Sequence, residues 1–532
     1  MTGRGDAIPA TRSPRQPGRP GTTVGRVLPG LAVVGLTAIG AALRLPALTD
    51  AGLWRDDAWV ALVGRVGPGM AWDMSATAPL FTAGMWAWLH LGDPMVAWWA
   101  QLPPMALGIA AVPAVYAVHR WFAVPRPGAL VAAAVVATAP VAMTYSARVK
   151  PYGLDLLVAC ALLVATDLAR RTRRPRDLGV LVVVATVGFA ASASVAPAVA
   201  GAFGALALDL SRTRDRWRNL AATLAVGALG TAAVYLACYR RLPEGLTPTW
   251  HLFYVDLSSP GRAVDTGGSA AGRVLAGLAP GGGWITSLPA AVLVGALGAL
   301  VGLGLLAGRR AWTAALTVAA SFAAAAARAA PIGTGRLDEV LYPSLLLLAA
   351  LGTTVLVERW APPTPDRAPR WRPVLTGAVT VLVVGALVAR AATSPATYPA
   401  TDIDAIRAAR DEVARPGDLV IVDARTRYLW ALTQPGTPAI VLGDRWLPGF
   451  TVTANEPGVA FQSSYSMEAG YTPRRWADEA EGAERILYVS TPFEIPEEAR
   501  DDAYAELRRR GWTPTEVRDV AGGRLEVLER AS

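Results

Sequence analysis

From residue 27 to residue 391 the chain alternates apolar runs of membrane-crossing length with short polar breaks. A helix needs ~17–25 apolar residues to cross a bilayer. The pattern predicts spans at 27–48, 97–122, 129–146, 152–169, 220–238, 284–307, 312–327, 341–357 and 373–391. Residues 178–210 leave and return as two short spans broken near 192–197. That gives about eleven transmembrane helices. Residues 79–91 are apolar but too short to cross, and are expected to form a re-entrant or interfacial helix. From residue 398 the pattern changes. Helix-like stretches at 404–414, 425–433 and 497–510 alternate with strand-like runs at 418–423, 439–442, 486–489 and 524–528, which predicts a small α/β domain. No glycine-rich phosphate loop opens any of these helices, so nucleotide binding has no support. The fold class is a polytopic α-helical membrane protein with a small C-terminal extracytoplasmic α/β domain.

Charge orients the spans. The chain carries +9, but residues 398–532 hold 16 arginines against 23 acidic residues, so the excess of positive charge lies in the first part. There it falls in short arginine clusters, the densest at 170–176. By the positive-inside rule these loops face the cytoplasm. Residues 1–26 then read as a disordered cytoplasmic tail, 27–397 as the transmembrane domain, and 398–532 as extracytoplasmic. With 53% hydrophobic and 17% charged residues, the chain is not nucleic-acid binding. Cys160 and Cys238 fall inside apolar runs and read as buried small hydrophobes. His90, His119 and His251 have no ligand spacing, so zinc is not expected.

Three polar clusters lie on the predicted outer side. The first is Asp56-Asp57, between Trp54 and Trp59 just beyond the first span. Charges this close to lipid mark a site. A carboxylate there can act as a general base, and the adjacent pair also suits a divalent cation; a solvated interfacial turn is the plainer alternative. The second is Arg148, Lys150 and Tyr152, with Lys150 the only lysine in the chain. Guanidinium and ammonium suit a phosphate, or simply anchor a helix end. The third is Arg336 in Pro331-Ile-Gly-Thr-Gly-Arg336, where a glycine-rich turn offers N–H groups to an anion; alternatively Arg336 pairs with Asp338 or Glu339. The stretch 239–283, with Trp250, His251, Phe253 and Tyr254, reads as an interface-anchoring outer loop.

In order and topology these motifs resemble the GT-C membrane glycosyltransferases, in the family 39-like branch of protein mannosyltransferases and aminoarabinose transferases. Leu53-Trp54-Arg55-Asp56-Asp57 is similar to that family's acidic pair, with Asp57 where Glu is usual. Thr77-Ala78-Pro79-Leu80-Phe81 resembles its Pro-Pro-Leu segment, with one proline and no preceding His or Lys. Gln101-Leu102-Pro103-Pro104 stands in place of an Arg-x-Pro-Ser element and lacks the arginine. Tyr145-Ser146-Ala147-Arg148-Val149-Lys150-Pro151-Tyr152 is similar to Tyr-Ser-Arg-x-x-Arg-Pro-Tyr. Pro331–Arg336 and Leu341-Tyr342-Pro343 resemble the late external loop. The likeness runs from Arg44 to Leu351. It implies a plasma-membrane enzyme with a polyprenyl-phosphate-linked sugar as donor and an extracytoplasmic glycan, lipid or protein as acceptor. It further implies Asp56 as the base on the acceptor hydroxyl, with Asp57 assisting by hydrogen bonding or metal binding, and Arg148, Lys150 and Arg336 on the leaving phosphate. The alanine- and arginine-rich, lysine-poor composition is that of a high-GC bacterial sequence, for which an envelope glycan is a natural acceptor. A flippase for lipid-linked sugars would instead need charges at mid-span and related halves, and a non-catalytic scaffold would tolerate loss of Asp56.

Overall fold

A computed structural model describes residues 24–48, 52–66, 78–93, 95–212, 217–240, 250–278, 288–360, 371–393, 400–423, 426–436, 439–442, 450–461, 478, 480–491, 506–520 and 522–530. The expected N-terminal tail lies outside these up to residue 23. The helices are α1 (Val24–Arg44), α2 (Arg55–Val66), α3 (Pro79–Leu89), α4 (Ala97–Trp121), α5 (Arg126–Thr138), α6 (Pro140–Ser146), α7 (Tyr152–Thr172), α8 (Pro175–Ala191), α9 (Ala196–Leu210), α10 (Trp217–Val234), α11 (Pro260–Leu278), α12 (Leu288–Gly304), α13 (Trp312–Ala326), α14 (Tyr342–Trp360) and α15 (Trp371–Thr393).

Each expected span falls on one of these helices, except 129–146, which falls on the pair α5 and α6; residues 284–287 of the span expected at 284–307 lie outside the described residues. Eight are long and apolar enough to cross a membrane, or nine when the bent pair α5–α6 is taken as one span. The 55° bend between α5 and α6 falls at Pro140, whose ring removes a helix hydrogen bond. The helices α8, of 17 residues, and α13, of 15, are the short members. The break expected within 178–210 occurs at Ser192, whose backbone is extended between α8 and a short 3-10 turn, Ala193–Val195. The protein is therefore a multi-pass membrane protein. Its apolar outer surface is that of a bundle in lipid: Leu375, Val381 and Leu382 on α15 are at least half exposed.

Two helices were not expected. The stretch between the first expected span and the short helix expected at 79–91 contains α2. The stretch 239–283, read as a loop, contains the amphipathic α11. The helix α3 has 11 residues, a rise of only ~16 Å, and packs against α2.

Close helix contact is strongest where small residues meet. Gly153 on α7 lies against α4 so tightly that a Cβ there would come within 2.7 Å of the Gly108 nitrogen and 2.9 Å of the Pro104 carbonyl oxygen. This contact fixes the start of α7, and with it the turn that carries Lys150.

The C-terminal part contains α16 (Ile403–Val413), β1 (Leu419–Val422), α17 (Arg427–Thr433), β2 (Ala439–Leu442), β3 (Phe450–Thr453), β4 (Val459–Phe461), β5 (Arg485–Ser490), β6 (Trp512–Val520) and β7 (Gly523–Arg530). A five-stranded mixed sheet has the order β4-β1-β5-β7-β6, with β1 parallel to both β4 and β5, and β7 antiparallel to β5 and β6. The strands β2 and β3 form a separate antiparallel pair. The expected α/β alternation is present; β3, β4 and β6 were not foreseen, and of the helix expected over 497–510 only its last turn falls within the described residues.

The sheet does not keep its core to itself. Register places Val420 beside Leu487 and Val422 beside Val489, then Leu487 beside Val527 and Val489 beside Leu525. This face merges with Leu53, Ala58, Trp59 and Leu62 of the α2 region and with Phe81, Met85 and Leu89 of α3 in a single hydrophobic cluster. The opposite face packs Ile421, Ile486, Tyr488 and Leu528 with Trp512 and Leu507.

Candidate active site

The helix α2 begins when the Trp54 carbonyl accepts the N–H groups of Asp57, at 3.0 Å, and Ala58, at 2.9 Å. Asp56 and Asp57 thus occupy the first helical turn, where unpaired N–H dipoles favour negative charge. Neighbouring helical positions point about 100° apart, and the two carboxylates have different partners. Asp57 is fully buried. It accepts the Val149 N–H at 3.0 Å and lies 3.5 Å from an Arg148 Nη. It therefore fastens the 148–150 turn to α2. Asp56 is buried but retains a little exposure. Its Oδ2 accepts from Arg336 Nη1 at 2.9 Å, and its Oδ1 accepts from Arg55 at 3.2 Å.

The clusters predicted on three separate loops thus converge. Lys150 is half-buried beside both carboxylates. Its Nζ is 5.8 Å from the Trp59 ring centroid, and among the described residues its ammonium makes no ion pair or hydrogen bond. Arg148 is committed to Asp57 and stacks on Trp54 at 4.3 Å. Arg336 is held between Trp54, at 5.6 Å, and Trp250, at 4.6 Å, a geometry in which ring faces attract a cation. Tyr152 is buried and packs edge-on to Tyr145 at 5.3 Å.

Two of the alternatives for Arg336 are corrected by this geometry. Arg336 pairs with Asp56, not with Asp338 or Glu339. The glycine-rich turn does not offer its N–H groups to a ligand, because Asp338 already accepts those of Gly333, at 2.9 Å, and Gly335, at 2.7 Å. Both glycines have φ near +80°, which a residue with a Cβ rarely adopts. This self-capped turn presents the Arg336 side chain. A divalent cation on the Asp56–Asp57 pair would have to displace Arg336 or Arg148, and among the described residues no third His, Cys, Asp or Glu joins them.

Burial and charge act in opposition here. Burial pushes the Asp56 carboxyl up, but Arg55, Lys150 and Arg336 outweigh it and hold it well below the usual carboxylate range. Burial lowers the Lys150 ammonium below its ordinary value, only partly offset by Asp56 and Asp57. Burial works against the Arg336 charge too, but Tyr152, Asp56 and Tyr145 more than restore it. The sequence did not reveal that Trp54 and Trp250 flank one arginine. The tryptophan beside the aspartates was visible; its partner 196 positions later had no signal beyond being aromatic.

No protein-family model matches the chain, and no curated protein matches it. Among solved structures the chain is similar to the crystal structure of ArnT from Cupriavidus metallidurans bound to undecaprenyl phosphate. The identity is 14% and the TM-score 0.49, over 95% of this chain and 98% of that one.

Proposed function

We propose that the protein is a membrane glycosyltransferase that moves a sugar from a polyprenyl-phosphate donor to a hydroxyl of an extracytoplasmic acceptor. The observation that carries this reading is the meeting of Asp56 with Arg336 at 2.9 Å, beside a Lys150 ammonium with no ion pair or hydrogen bond of its own among the described residues. An unpartnered cation next to a carboxylate–guanidinium pair is an incomplete charge set. A phosphate completes it.

In the reaction, the acceptor oxygen forms a bond to the sugar's anomeric carbon. The bond from that carbon to the phosphate oxygen breaks, and its electron pair stays on the phosphate. Asp56 takes the acceptor's proton. Lys150 and Arg336 balance the charge that grows on the leaving phosphate, a kind of stabilisation that commonly supplies the largest part of a rate enhancement. Asp57 and Arg148 hold the Lys150 turn in register.

The resting ion pair also orders the steps. While Arg336 holds Asp56, the carboxylate is a weak base. A phosphate that draws Arg336 away removes a cation from Asp56 and leaves burial to raise its proton affinity toward the working range of a general base. Donor binding therefore prepares the base before the acceptor reacts. With Asp56 facing the predicted outer side, the acceptor is extracytoplasmic.

The test is transfer of labelled sugar from a polyprenyl-phosphate donor in membranes that carry the protein. Asp56→Asn and Lys150→Ala should each reduce transfer by ~10²-fold or more, and a deletion strain should accumulate the unreacted lipid-linked sugar. Full transfer by both variants rules this function out.

A further inference from the structure

Three contacts outside the charge cluster grip the helix that bears Asp56. Trp59 of α2 stacks on Tyr428 of α17, with centroids 5.7 Å apart and planes 9° from parallel. Six residues further along α2, Arg65 donates to the carbonyl oxygens of Leu432, of Gln434 at 3.1 Å and of Gly436 at 2.7 Å. These are the carbonyls that close α17 and follow it, so the guanidinium serves as a C-terminal cap on a neighbouring element. Just before α2, Leu53 forms an antiparallel bridge with Thr401, whose N–H donates to the Leu53 carbonyl at 3.2 Å. Gly52 has φ +87°, and a Cβ there would collide with the Thr401 carbonyl. The helix α2 is therefore held before its start, in its second turn and at its end, each time by the C-terminal domain.

We infer that the C-terminal domain positions the catalytic base: Tyr428 and Arg65 act through α2 to keep Asp56 within reach of Arg336 and Lys150. This rests on the reading of Asp56 as the base. A helix of 12 residues is marginal alone, and most of its stability comes from packing. Its packing partners here are α3 and the C-terminal sheet face. Loosening the second partner lets the first turn of α2 drift from the cations, which raises the proton affinity of Asp56 and weakens its alignment with the acceptor. Tyr428 and Arg65 touch no predicted substrate atom, so they are positioning residues.

The test uses the full-length protein in detergent or nanodiscs, with Arg65→Gln, Tyr428→Ala and the stack-preserving Tyr428→Phe. Two measurements are read together. The first is carbodiimide-driven amidation of Asp56 against pH, followed by mass spectrometry, which reports the protonated carboxyl without any need for activity. The second is the split of donor KM and kcat in sugar transfer. Arg65→Gln and Tyr428→Ala should move the Asp56 labelling midpoint up by about one pH unit, a tenfold change in proton affinity. They should also cut kcat at least tenfold and leave donor KM within about threefold, while Tyr428→Phe, which keeps the stack and loses only the hydroxyl that accepts from Arg427 at 3.2 Å, keeps the parent's Asp56 labelling midpoint. Thermal melts identify a variant that has lost its fold; Arg65→Gln removes no core side chain and remains informative if Tyr428→Ala unfolds. Folded variants with an unmoved labelling midpoint overturn the inference. If Asp56→Asn retains full transfer, the function falls, yet the labelling experiment still decides whether the domain sets the state of Asp56.

Discussion

Asp56 and Lys150 carry opposite pH signatures. The folded-state carboxyl of Asp56 lies below its unfolded value of ~3.9. Its ion pairing thus contributes stability above that range, lost as pH falls through the lowered value. In kcat/KM for donor, which reports the donor-free enzyme, transfer should hold down to about pH 4 on the acid side, and a limb centred near pH 6 in that quantity would contradict the resting Arg336–Asp56 pair as the state that donor meets. Lys150 is shifted down from ~10.4. Its burial opposes folding at lower pH, and that cost is relieved as pH rises between the folded and unfolded values. In the proposed reaction the ammonium is the form that holds phosphate, so transfer should decline on the alkaline side before pH ~10.4. Lys150→Arg, which stays charged, should move that limb upward in a pH–rate profile, even at reduced kcat. At this scale the sequence was informative about which residues matter and silent on whom they face. Asp56, Lys150 and Arg336 stood out as charges in the wrong place for lipid. That Arg148 is spent on Asp57 depends on side-chain directions across loops more than 90 residues apart, which no local pattern encodes; that Asp338 accepts two N–H groups of its own turn depends on the positive-φ glycines that fold the turn back on it.

The helices of the bundle were legible because lipid imposes length and composition on them. The helix α2 was not. Its apolar stretch Ala58–Val63 is buried on all sides between α3 and the C-terminal domain, so it lacks the one-sided stripe that marks an amphipathic helix. The helix α11 does have such a stripe, but its glycines at 261, 267 and 268 and its place in a long connection read as loop. One element-level contact leads directly to the site. Gly153 lets α7 approach α4, two residues after the Lys150–Pro151 step. Gly153→Val should cost about 1–3 kcal/mol of stability by overpacking and displace Lys150. The expected readout is a lower melting temperature in detergent and transfer reduced further than the folded fraction explains; a melt and a rate like the parent's would show that α7 can shift without moving the lysine. At the far end of the bundle, Arg170 and Arg309 both meet buried Asp209, at 3.0 and 2.8 Å, beside Trp312. Asp209→Ala leaves the buried Arg170 without its counter-ion, at a cost of about 3–5 kcal/mol. It should depress the melting temperature while surviving folded protein keeps its donor KM, since it lies at the opposite ends of the spans from Asp56.

As a whole the molecule is polarised, with three span ends gathered by Asp209 at one side and three loops gathered by Asp56 and Asp57 at the other. The C-terminal sheet belongs to the second side through its shared core with α2 and α3. A chain truncated after Thr393 should therefore insert its spans normally yet lose transfer by at least ~10²-fold, because α2 would present Leu53, Trp59 and Leu62 to water. Membrane fractionation with a transfer assay checks both halves of that expectation. Chain-wide composition adds one practical consequence. Because Lys150 is the only lysine among 532 residues, the protein's side-chain amine chemistry is concentrated at a single address. An aldehyde bearing a phosphate, fixed by borohydride, would tag that address without any engineering of the gene. Its displacement by a polyprenyl phosphate, the product of the proposed transfer, would then turn the scarcity of one amino acid into a titration of site occupancy.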